Sequence, residues 1–381
     1  MAPPCGVAAS VQRDTASAVA ELRAELAGDW VAVFVFHGTD HEPSAVASAV
    51  AEAFPCARTA GCTTMGEVGP AGLTSGGMSA FAFGAPASIA IEVVEDTPGF
   101  AFATGETLME KLTASLGVTR ESLSADRHLL LTLTDGLSGA EERVVASLSL
   151  SAPGLPLVGG SAADDLKTEG TTVFFDGQAW PSATLVVLLE PGVAFRAFAI
   201  HHFQATERRV VVTSADPDRR IAHEFDGWPA CHVFEDIAGL ERGAVDADPM
   251  VPASQAICFG IPAGGSFFMR SPFRGDGGSL VMRGAVAEGD VLRVMEGQDL
   301  VSRTRSELRR ELDELAKTSE PSGMLLFNCG GRLLEARAYG TESALNEAMS
   351  MIPAAGFSTY GEQYGALLVN HTLTGVALGS A

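Results

Sequence analysis

Three loops in this sequence share one pattern: Gly61-Cys-Thr-Thr-Met-Gly-Glu67, Gly159-Gly-Ser-Ala-Ala-Asp-Asp165 and Gly356-Phe-Ser-Thr-Tyr-Gly-Glu362. Each loop begins with a glycine, has a hydroxyl residue at its third position, and ends with an acidic residue. An apolar, strand-like segment begins 30, 30 and 31 residues before the opening glycine, at Val31, Leu129 and Leu325. Such a fixed spacing indicates an internal repeat. The chain therefore contains three copies of one structural unit.

Each copy has the same order of elements. The first strand is followed by a polar loop, by a segment with apolar residues at helical spacing, and by a proline. The helical segments are residues 44–53, 140–148 and 342–351, and the prolines are Pro55, Pro156 and Pro353. After the shared loop, further strands are predicted at residues 78–83, 171–175, 184–189 and 366–378. We therefore predict an α/β fold in which mixed sheets, built from repeated β-loop-α-loop-β units, carry helices on their faces.

Different sequence separates the second and third copies. Strand patterns broken by glycine turns occupy much of residues 195–295, and residues 300–317 form a polar amphipathic helical pattern. The turn residues of Phe225-Asp-Gly-Trp-Pro229 mark the seam. A chain of 381 residues exceeds the size at which a single core keeps growing. We predict two domains, residues 28–225 and residues 226–381.

Composition excludes several classes of protein. A formal charge of -22 would repel a nucleic-acid backbone, so no nucleic acid is expected as a partner. No apolar run approaches the roughly 20 residues that span a bilayer, and residues 1–10 lack the pattern of a secretory signal. We therefore expect no membrane insertion and a cytoplasmic location. Six scattered cysteines without a CxxC pair indicate reduced thiols and argue against a zinc ribbon.

The repeated loops have the residue types of a ligand site. In α/β layers, ligands gather where strands end and helices begin, because backbone N–H groups are exposed there. Hydroxyl groups would bond a polar ligand, Glu67 or Glu362 would fix an ammonium group, and Arg332 would hold a carboxylate in bidentate fashion. Together these groups would suit a zwitterion. The alternative is that the glycines supply left-handed turns and the hydroxyls and acids close them.

Several motifs, in this order, resemble the FIST domains, a bacterial and eukaryotic sensory module named after F-box and intracellular signal transduction proteins. Besides the first and third loops, they are Leu133-Thr-Asp-Gly136, Val158-Gly-Gly-Ser-Ala162, Trp228-Pro-Ala230, Leu326-Phe-Asn-Cys-Gly-Gly-Arg332 and Asn370-His-Thr-Leu-Thr374. The resemblance covers roughly residues 30–379 and includes both the N-terminal and the C-terminal FIST halves. It implies a stand-alone FIST protein without an attached kinase, cyclase or F-box segment.

The resemblance implies a protein that binds a small ligand, such as an amino acid, and relays its occupancy to a signalling partner. The candidate ligand-binding residues are Cys62, Thr63, Thr64, Glu67, Asp135, Ser161, Cys329, Arg332, Ser358, Thr359, Tyr360, Glu362 and Asn370. No compact set of acid, base and nucleophile is evident, so we do not expect an enzyme. The less favoured enzymatic alternative is a thiol-dependent hydrolase that uses Cys62 or Cys329 with His371.

The resemblance also implies a second alternative, because some stand-alone FIST proteins are haem proteins that sense nitric oxide and regulate a histidine kinase. Axial ligation needs an imidazole that points into an apolar pocket. The candidates are His232, on a predicted helix beside Trp228 and Phe234, and His371, with His201 and His202 behind them. His37 and His41 lie in a polar loop and are expected to be solvated. Haem is therefore an alternative, and no metal or cofactor is firmly assigned.

Overall fold

The computed structural model of the protein describes residues 3–247 and 256–380. Within these residues the three copies fold into three similar units. The first unit contains β1 (Cys5–Ser10), α1 (Thr15–Glu25), β2 (Ala32–His37), α2 (Pro43–Ala53), β3 (Arg58–Thr63), β4 (Glu67–Gly69), β5 (Gly72–Thr74) and β6 (Met78–Phe83). The second contains β7 (Ser88–Val94), α3 (Thr104–Leu116), β8 (Leu129–Asp135), α4 (Glu141–Ser151), β9 (Leu157–Ala162), β10 (Thr172–Phe175), β11 (Gln178–Pro181) and β12 (Thr184–Glu190).

The third unit begins with β13 (Phe195–His201) and is interrupted by an insertion, residues 203–297. The described elements of the insertion are β14 (Phe203–Asp216), β15 (Ile221–Phe225), β16 (Trp228–Pro229), α5 (Ala230–Ala238), α6 (Ala244–Ala247), β17 (Ile257–Ala263), β18 (Ser266–Arg270), β19 (Pro272–Asp276), β20 (Ser279–Met282) and β21 (Val291–Gly297). The unit then continues with α7 (Leu300–Ala316), β22 (Pro321–Cys329), α8 (Gly330–Ala338), α9 (Glu342–Met349), β23 (Ala354–Thr359), β24 (Glu362–Tyr364), β25 (Leu367–Val369) and β26 (Thr372–Gly379).

The three units exchange hairpins in a closed cycle. The first sheet has the order β1-β6-β2-β3-β10-β11, the second β7-β12-β8-β9-β24-β25 and the third β13-β26-β22-β23-β4-β5. In each sheet the two strands that flank the repeat helix are parallel and the others are antiparallel. The second unit thus gives its hairpin to the first sheet, the third gives to the second, and the first gives to the third. We call this arrangement the three-unit body.

The inner faces of the three sheets share one core. This core includes Phe36 from the first sheet, Leu133 from the second, and Phe327 and Phe357 from the third. Phe36 and Phe357 stack with their ring centroids 4.8 Å apart. Helices cover the outer faces, α1 and α2 on the first sheet, α3 and α4 on the second, and α7 and α9 on the third. Central strands such as β8 are apolar in continuous runs because both of their faces are buried.

The α/β class with mixed sheets and helices on their faces is confirmed. The structure adds elements that the repeat pattern did not predict, above all the edge strands β1 and β7 and the helices α1 and α3. The first sheet starts at Cys5, upstream of residue 28, and β13 belongs to the third sheet although it precedes residue 225. Across the described part of the chain, no helix is long and apolar enough to cross a membrane.

A polar loop was predicted after the first strand of each copy, and in the third copy this loop would be the segment from Asn328 to Arg332; there the prediction is wrong. Strand β22 runs on through Cys329, and helix α8 begins at the next residue, Gly330. The strand therefore passes into the helix with no intervening loop. This tight junction places the first turn of α8 directly against the repeated loops.

Candidate functional site

The three repeated loops meet around a common centre. The backbone N–H of Met65 donates to the carbonyl of Ser358 over 3.1 Å, and the N–H of Tyr360 donates to the carbonyl of Ser161 over 3.2 Å. The cycle closes where the N–H of Ala163 donates to the carbonyl of Thr63 over 3.0 Å. Each loop therefore bonds to the next one in the same manner, and the hairpins that follow the loops are directed into neighbouring sheets.

The opening glycines are required by close packing. A Cβ atom at Gly61, Gly159 or Gly356 would lie 1.8, 2.3 or 1.8 Å from the carbonyl oxygen of the neighbouring parallel strand. None of the three has the positive φ that the turn interpretation assumed. Their common function is to let two backbones approach each other, which only a residue without a side chain permits.

The closing acids of the first and third loops bond to their own hairpins. Glu67 accepts hydrogen bonds from the Thr64 hydroxyl at 2.7 Å and the Gly77 N–H at 3.0 Å. Glu362 accepts from the Thr359 hydroxyl and from the Thr372 N–H at 3.3 Å. Burial raises the pKa of Glu67 to about 7 and that of Glu362 to about 8, against the lowering effect of these bonds. Both carboxyl groups are thus occupied by internal bonds.

Other candidates also make internal hydrogen bonds. The Thr63 hydroxyl accepts from the Thr172 N–H at 3.1 Å, Ser161 accepts from Gln363 at 2.8 Å, and Ser358 accepts from Asn328 at 3.3 Å. The Asp135 carboxylate accepts from the N–H of Leu137 at 3.0 Å and from the hydroxyl of Thr171. All of these bonds tie a loop to its neighbour or to its own strand end. They give the loops a fixed shape against which a ligand site can form.

A cavity of about 30 Å³ lies where the loops face the first turn of α8. Four of the predicted candidates line it, Cys329, Thr359, Tyr360 and Asn370, together with His371. Its other walls come from all parts of the chain, since Met65 and Leu166 belong to the first two units and Ser271 and Arg283 to the insertion. A buried water needs about 10–15 Å³, so the cavity has room for a group of about two or three non-hydrogen atoms.

Arg283 supplies a cation to this cavity. Its side chain is largely buried, and it forms neither an ion pair nor a side-chain hydrogen bond with any residue in the described ranges. One face of the guanidinium is covered by the Phe273 ring, whose centroid lies 3.9 Å away. Burial lowers the pKa of Arg283. The five N–H donors of an arginine suit a carboxylate. None of the described residues that line this cavity is an acid that would occupy these donors.

The first turn of α8 adds further donors. Its N-cap residue is Cys329, whose side chain makes no capping hydrogen bond. The first N–H groups of a helix have no partner within it and attract anions. The buried Nδ2 of Asn370 and Nδ1 of His371 also lack hydrogen-bond partners in the described structure. A Cβ at Gly331 would lie 2.9 Å from the His371 ring, so the glycine permits this contact.

Arg332, the predicted carboxylate ligand, lies elsewhere. It is a fully buried residue within α8, and it donates to Asn328 Oδ1 at 2.9 Å and to the Thr304 hydroxyl at 2.7 Å. It does not line the cavity. Sequence reasoning missed Arg283 because this residue lies in a β-hairpin of the insertion, outside every repeated motif. The only signal available was an arginine between glycine turns, which is common on surfaces.

The thiol chemistry of the enzymatic alternative finds little support. Cys62 packs into the shared core, and burial raises its pKa well above the ordinary value. Burial, with a contribution from Glu362, also raises the pKa of Cys329. A thiolate is the nucleophilic form, and both sites disfavour it. No cluster of three or more His, Cys, Asp or Glu side chains that would hold a metal occurs in the parts of the chain that are described.

The histidines that were candidates for haem ligation differ in their burial. His232 is exposed on α5, whereas His202 and His371 are buried. His37 and His41 were expected to be solvated but are buried as well: His37 is the last residue of the buried strand β2, and the Nδ1 of His41 lies 3.0 Å from the hydroxyl of Thr15 in α1. The cavity at His371 is far smaller than the roughly 300 Å³ or more of a cofactor-sized pocket. A porphyrin therefore does not fit the site in this conformation, and haem stays a prediction.

Comparison with protein families gives two matches. The FIST N domain matches residues 31–228 and the FIST C domain matches residues 230–365. FIST domains are sensory domains of signal transduction. Both contribute to the cavity, since Met65 lies in the first matched range and Arg283 in the second. No curated protein shows significant similarity to the chain.

Proposed function

The chain belongs to the FIST family, and we propose that it is a sensory protein whose ligand is a small carboxylate metabolite, an amino acid or a close analogue. The ligand binds in the cavity between the repeated loops and the first turn of α8. The observation that carries the proposal is the guanidinium of Arg283, which is largely buried there without an acidic partner among the described residues. Arg283, the first residues of α8 and Asn370 line one small space, and the Nδ2 of Asn370 has no hydrogen-bond partner among the described residues.

An internal comparison between units supports an anion. In the first unit, Arg13 reaches from the β1–α1 connection and forms an ion pair with Asp40. His37 pairs with Thr63 across β2 and β3, as Asn328 pairs with Ser358 across β22 and β23. Asp40 lies three residues after His37, and Gly331 lies three residues after Asn328, so these two positions correspond.

In the third unit, the insertion takes the place of the β1–α1 connection, and it contributes Arg283. The position that matches Asp40 does not have an acid. A glycine stands there, and the His371 ring packs against it. A carboxylate from solution would pair with Arg283, as the Asp40 carboxylate pairs with Arg13 in the first unit. The cavity accepts the carboxylate group, and the remainder of the ligand extends past the exposed side chain of Leu166 at the rim.

Titration calorimetry with glycine, alanine and acetate tests the proposal, on the wild type and on two variants. Arg283→Met should weaken binding at least about 30-fold, because truncating one member of a buried charge pair costs about 2–5 kcal/mol. Arg13→Met is the matched control and should bind like the wild type, because its side chain is exposed and paired in another unit. The proposal is wrong if no carboxylate binds, or if Arg283→Met binds equally well.

The same experiment defines the ligand class. Tighter binding of glycine than of acetate would indicate recognition of an ammonium group and would favour amino acids. Equal binding would assign the site to simple carboxylates. A Soret band in protein purified from haem-supplemented cells, shifted by nitric oxide and lost in His371→Ala, would replace the carboxylate proposal with the haem alternative.

The proposed output is a change in the activity of a signalling partner. A histidine kinase is the partner expected from the resemblance to haem-containing FIST proteins. Kinase autophosphorylation should then differ between the ligand-free and the ligand-saturated protein, and the difference should disappear in Arg283→Met. An identical rate in both states would exclude this type of partner.

A further inference from the structure

The insertion contacts the three-unit body through three buried or largely buried arginines. Arg220 forms ion pairs with Glu141, at 2.7 Å, and with Glu142 of the second unit. Arg270 donates only to carbonyl oxygens, including that of Leu368 at 2.7 Å across the interface. Arg283 faces the ligand cavity. Of these three cations, Arg283 therefore has neither an acid nor a carbonyl oxygen as a side-chain partner among the described residues.

Other acids near the cavity do not pair with Arg283. Asp164 accepts hydrogen bonds from the hydroxyl of Tyr360, in the third loop, and from three backbone N–H groups, all of which are neutral donors. Glu362 bonds to its own hairpin, with burial raising its pKa to about 8, so it is largely uncharged near neutral pH. Neither carboxyl group lines the cavity. Among the described residues, no acid thus pairs with Arg283 at the interface between the insertion and the body.

We infer that a monoanionic ligand pairs with Arg283 and thereby drives the docking of the insertion onto the three-unit body, which is the conformational signal. The inference rests on the proposed function, that a carboxylate binds in the cavity. The wall of the cavity is divided between the two parts, with Arg283 and Ser271 from the insertion and Gly330, Gly331 and Asn370 from the body. A ligand that contacts both parts binds best when they are docked.

The energetic logic is that of linkage. An unpaired charge in a largely buried interface is costly, so the ligand-free interface opens more readily than one of neutral composition. A ligand shifts such an equilibrium by its difference in affinity between the two states. At a concentration of 100 times Kd, a ligand that binds only the docked state increases its population ratio by about 100-fold. Docking and undocking of the insertion would then expose or cover the surface that a partner reads.

Hydrogen exchange measures docking directly. The backbone N–H groups of Ser271 and Ala285 donate across the interface, to the side chains of Asn370 and Glu142, and these two amides report its opening. In the wild type, saturating glycine or acetate should slow their exchange, whereas amides of β8, in the shared core, should not respond. Arg283→Met should show slow exchange at these sites without any ligand and should not respond to it, because the unpaired charge has been removed.

Two further variants separate the charge effect from general damage. Glu142→Gln removes one acid from the body and should speed exchange in the absence of ligand, while enlarging the effect of the anion. Arg274→Met changes an exposed arginine of the same insertion and should behave like the wild type. A higher melting temperature of ligand-free Arg283→Met would also show that this variant folds.

The possible failures are distinguishable. If calorimetry detects no carboxylate binding, the proposed function itself fails. If the anion binds but exchange at the interface is unchanged, the docking inference is overturned and the proposed function stands. If Arg283→Met speeds exchange at the interface, Arg283 holds the two parts together by packing, and the inference that its unpaired charge weakens their docking is wrong.

Discussion

Gly356→Ala should destabilise the protein strongly, although it adds a single methyl group. Gly356 opens the third repeated loop and lies beside the parallel strand β22. The added Cβ would lie 1.8 Å from the carbonyl oxygen of Leu326 and 2.7 Å from its carbonyl carbon. Both atoms belong to the backbone of a central strand, so no side-chain rotation can relieve the overlap.

The size of the effect follows from the displacement. Ordinary contacts between carbon and a carbonyl oxygen are about 3.3–3.6 Å, so the two strands would have to separate by roughly 1.5 Å. Overpacking of a core costs about 1–3 kcal/mol, and each weakened ladder hydrogen bond adds about 1 kcal/mol. We expect a total loss of about 3–5 kcal/mol. For a chain of this length the unfolding entropy is about 0.8 kcal/mol per K, so the melting temperature should fall by about 4–6 °C.

Differential scanning calorimetry measures this shift. The matched control is Gly170→Ala, at a glycine without positive φ where a Cβ would meet no atom within 4 Å. This control should be neutral or slightly stabilising, because alanine restricts the unfolded chain. Gly61→Ala has the same 1.8 Å overlap in the first unit and should repeat the loss. A melting temperature of Gly356→Ala within 1 °C of the wild type would refute the close-packing explanation of the repeated glycines.

Three other predictions concern thiols, protons and the buried ion pair. In the native protein, Ellman's reagent should react rapidly with one thiol, Cys56, because the other five cysteines are buried. All six thiols should react in denaturant. Two or more rapidly reacting thiols in the native protein would contradict this burial. Burial raises the pKa of Glu67 to about 7 and of Glu362 to about 8, so the folded state retains protons that the unfolded state releases. The free energy of unfolding should therefore fall as pH rises from about 4.5 to 8. Glu362→Gln should flatten this profile in thermal melts, and an unchanged slope would count against it. Arg220→Met should lower the free energy of unfolding by about 3–5 kcal/mol in urea titrations, because it leaves Glu141 buried without its partner. A loss below about 1 kcal/mol would show that this ion pair contributes no more than an exposed one.

The repeat pattern predicted the fold class because its evidence is local. Strands such as β8 and helices such as α4 are encoded by the periodicity of their own residues, and the fixed spacing to the next glycine revealed that the pattern occurs three times. The exchange of hairpins was not predictable in this way. Whether β4 pairs with its own sheet or with the third depends on contacts between residues nearly 300 positions apart, which no local pattern records.

The same distinction applies to the candidate site. The sequence located the loops that meet at the cavity, and it identified Cys329, Thr359, Tyr360 and Asn370 among their residues. It assigned the carboxylate-binding function to Arg332, because an arginine after a strand is a reasonable anion ligand. In the structure, this side chain is buried by its own helix, and Arg283 of the insertion lines the cavity instead.

The sequence by itself therefore determined the repeated unit, its secondary structure and the chemistry of the loops, since short-range periodicity and turn residues encode these features. Tertiary structure alone decided which units exchange hairpins, which polar groups are used up by internal hydrogen bonds, and which cation remains for a ligand. The physical reason is that a polar side chain can bind a ligand only if the fold leaves its hydrogen bonds or its charge without an internal partner. That condition depends on every segment packed around the side chain, and distant segments such as Arg283 and Gly331 meet only after folding.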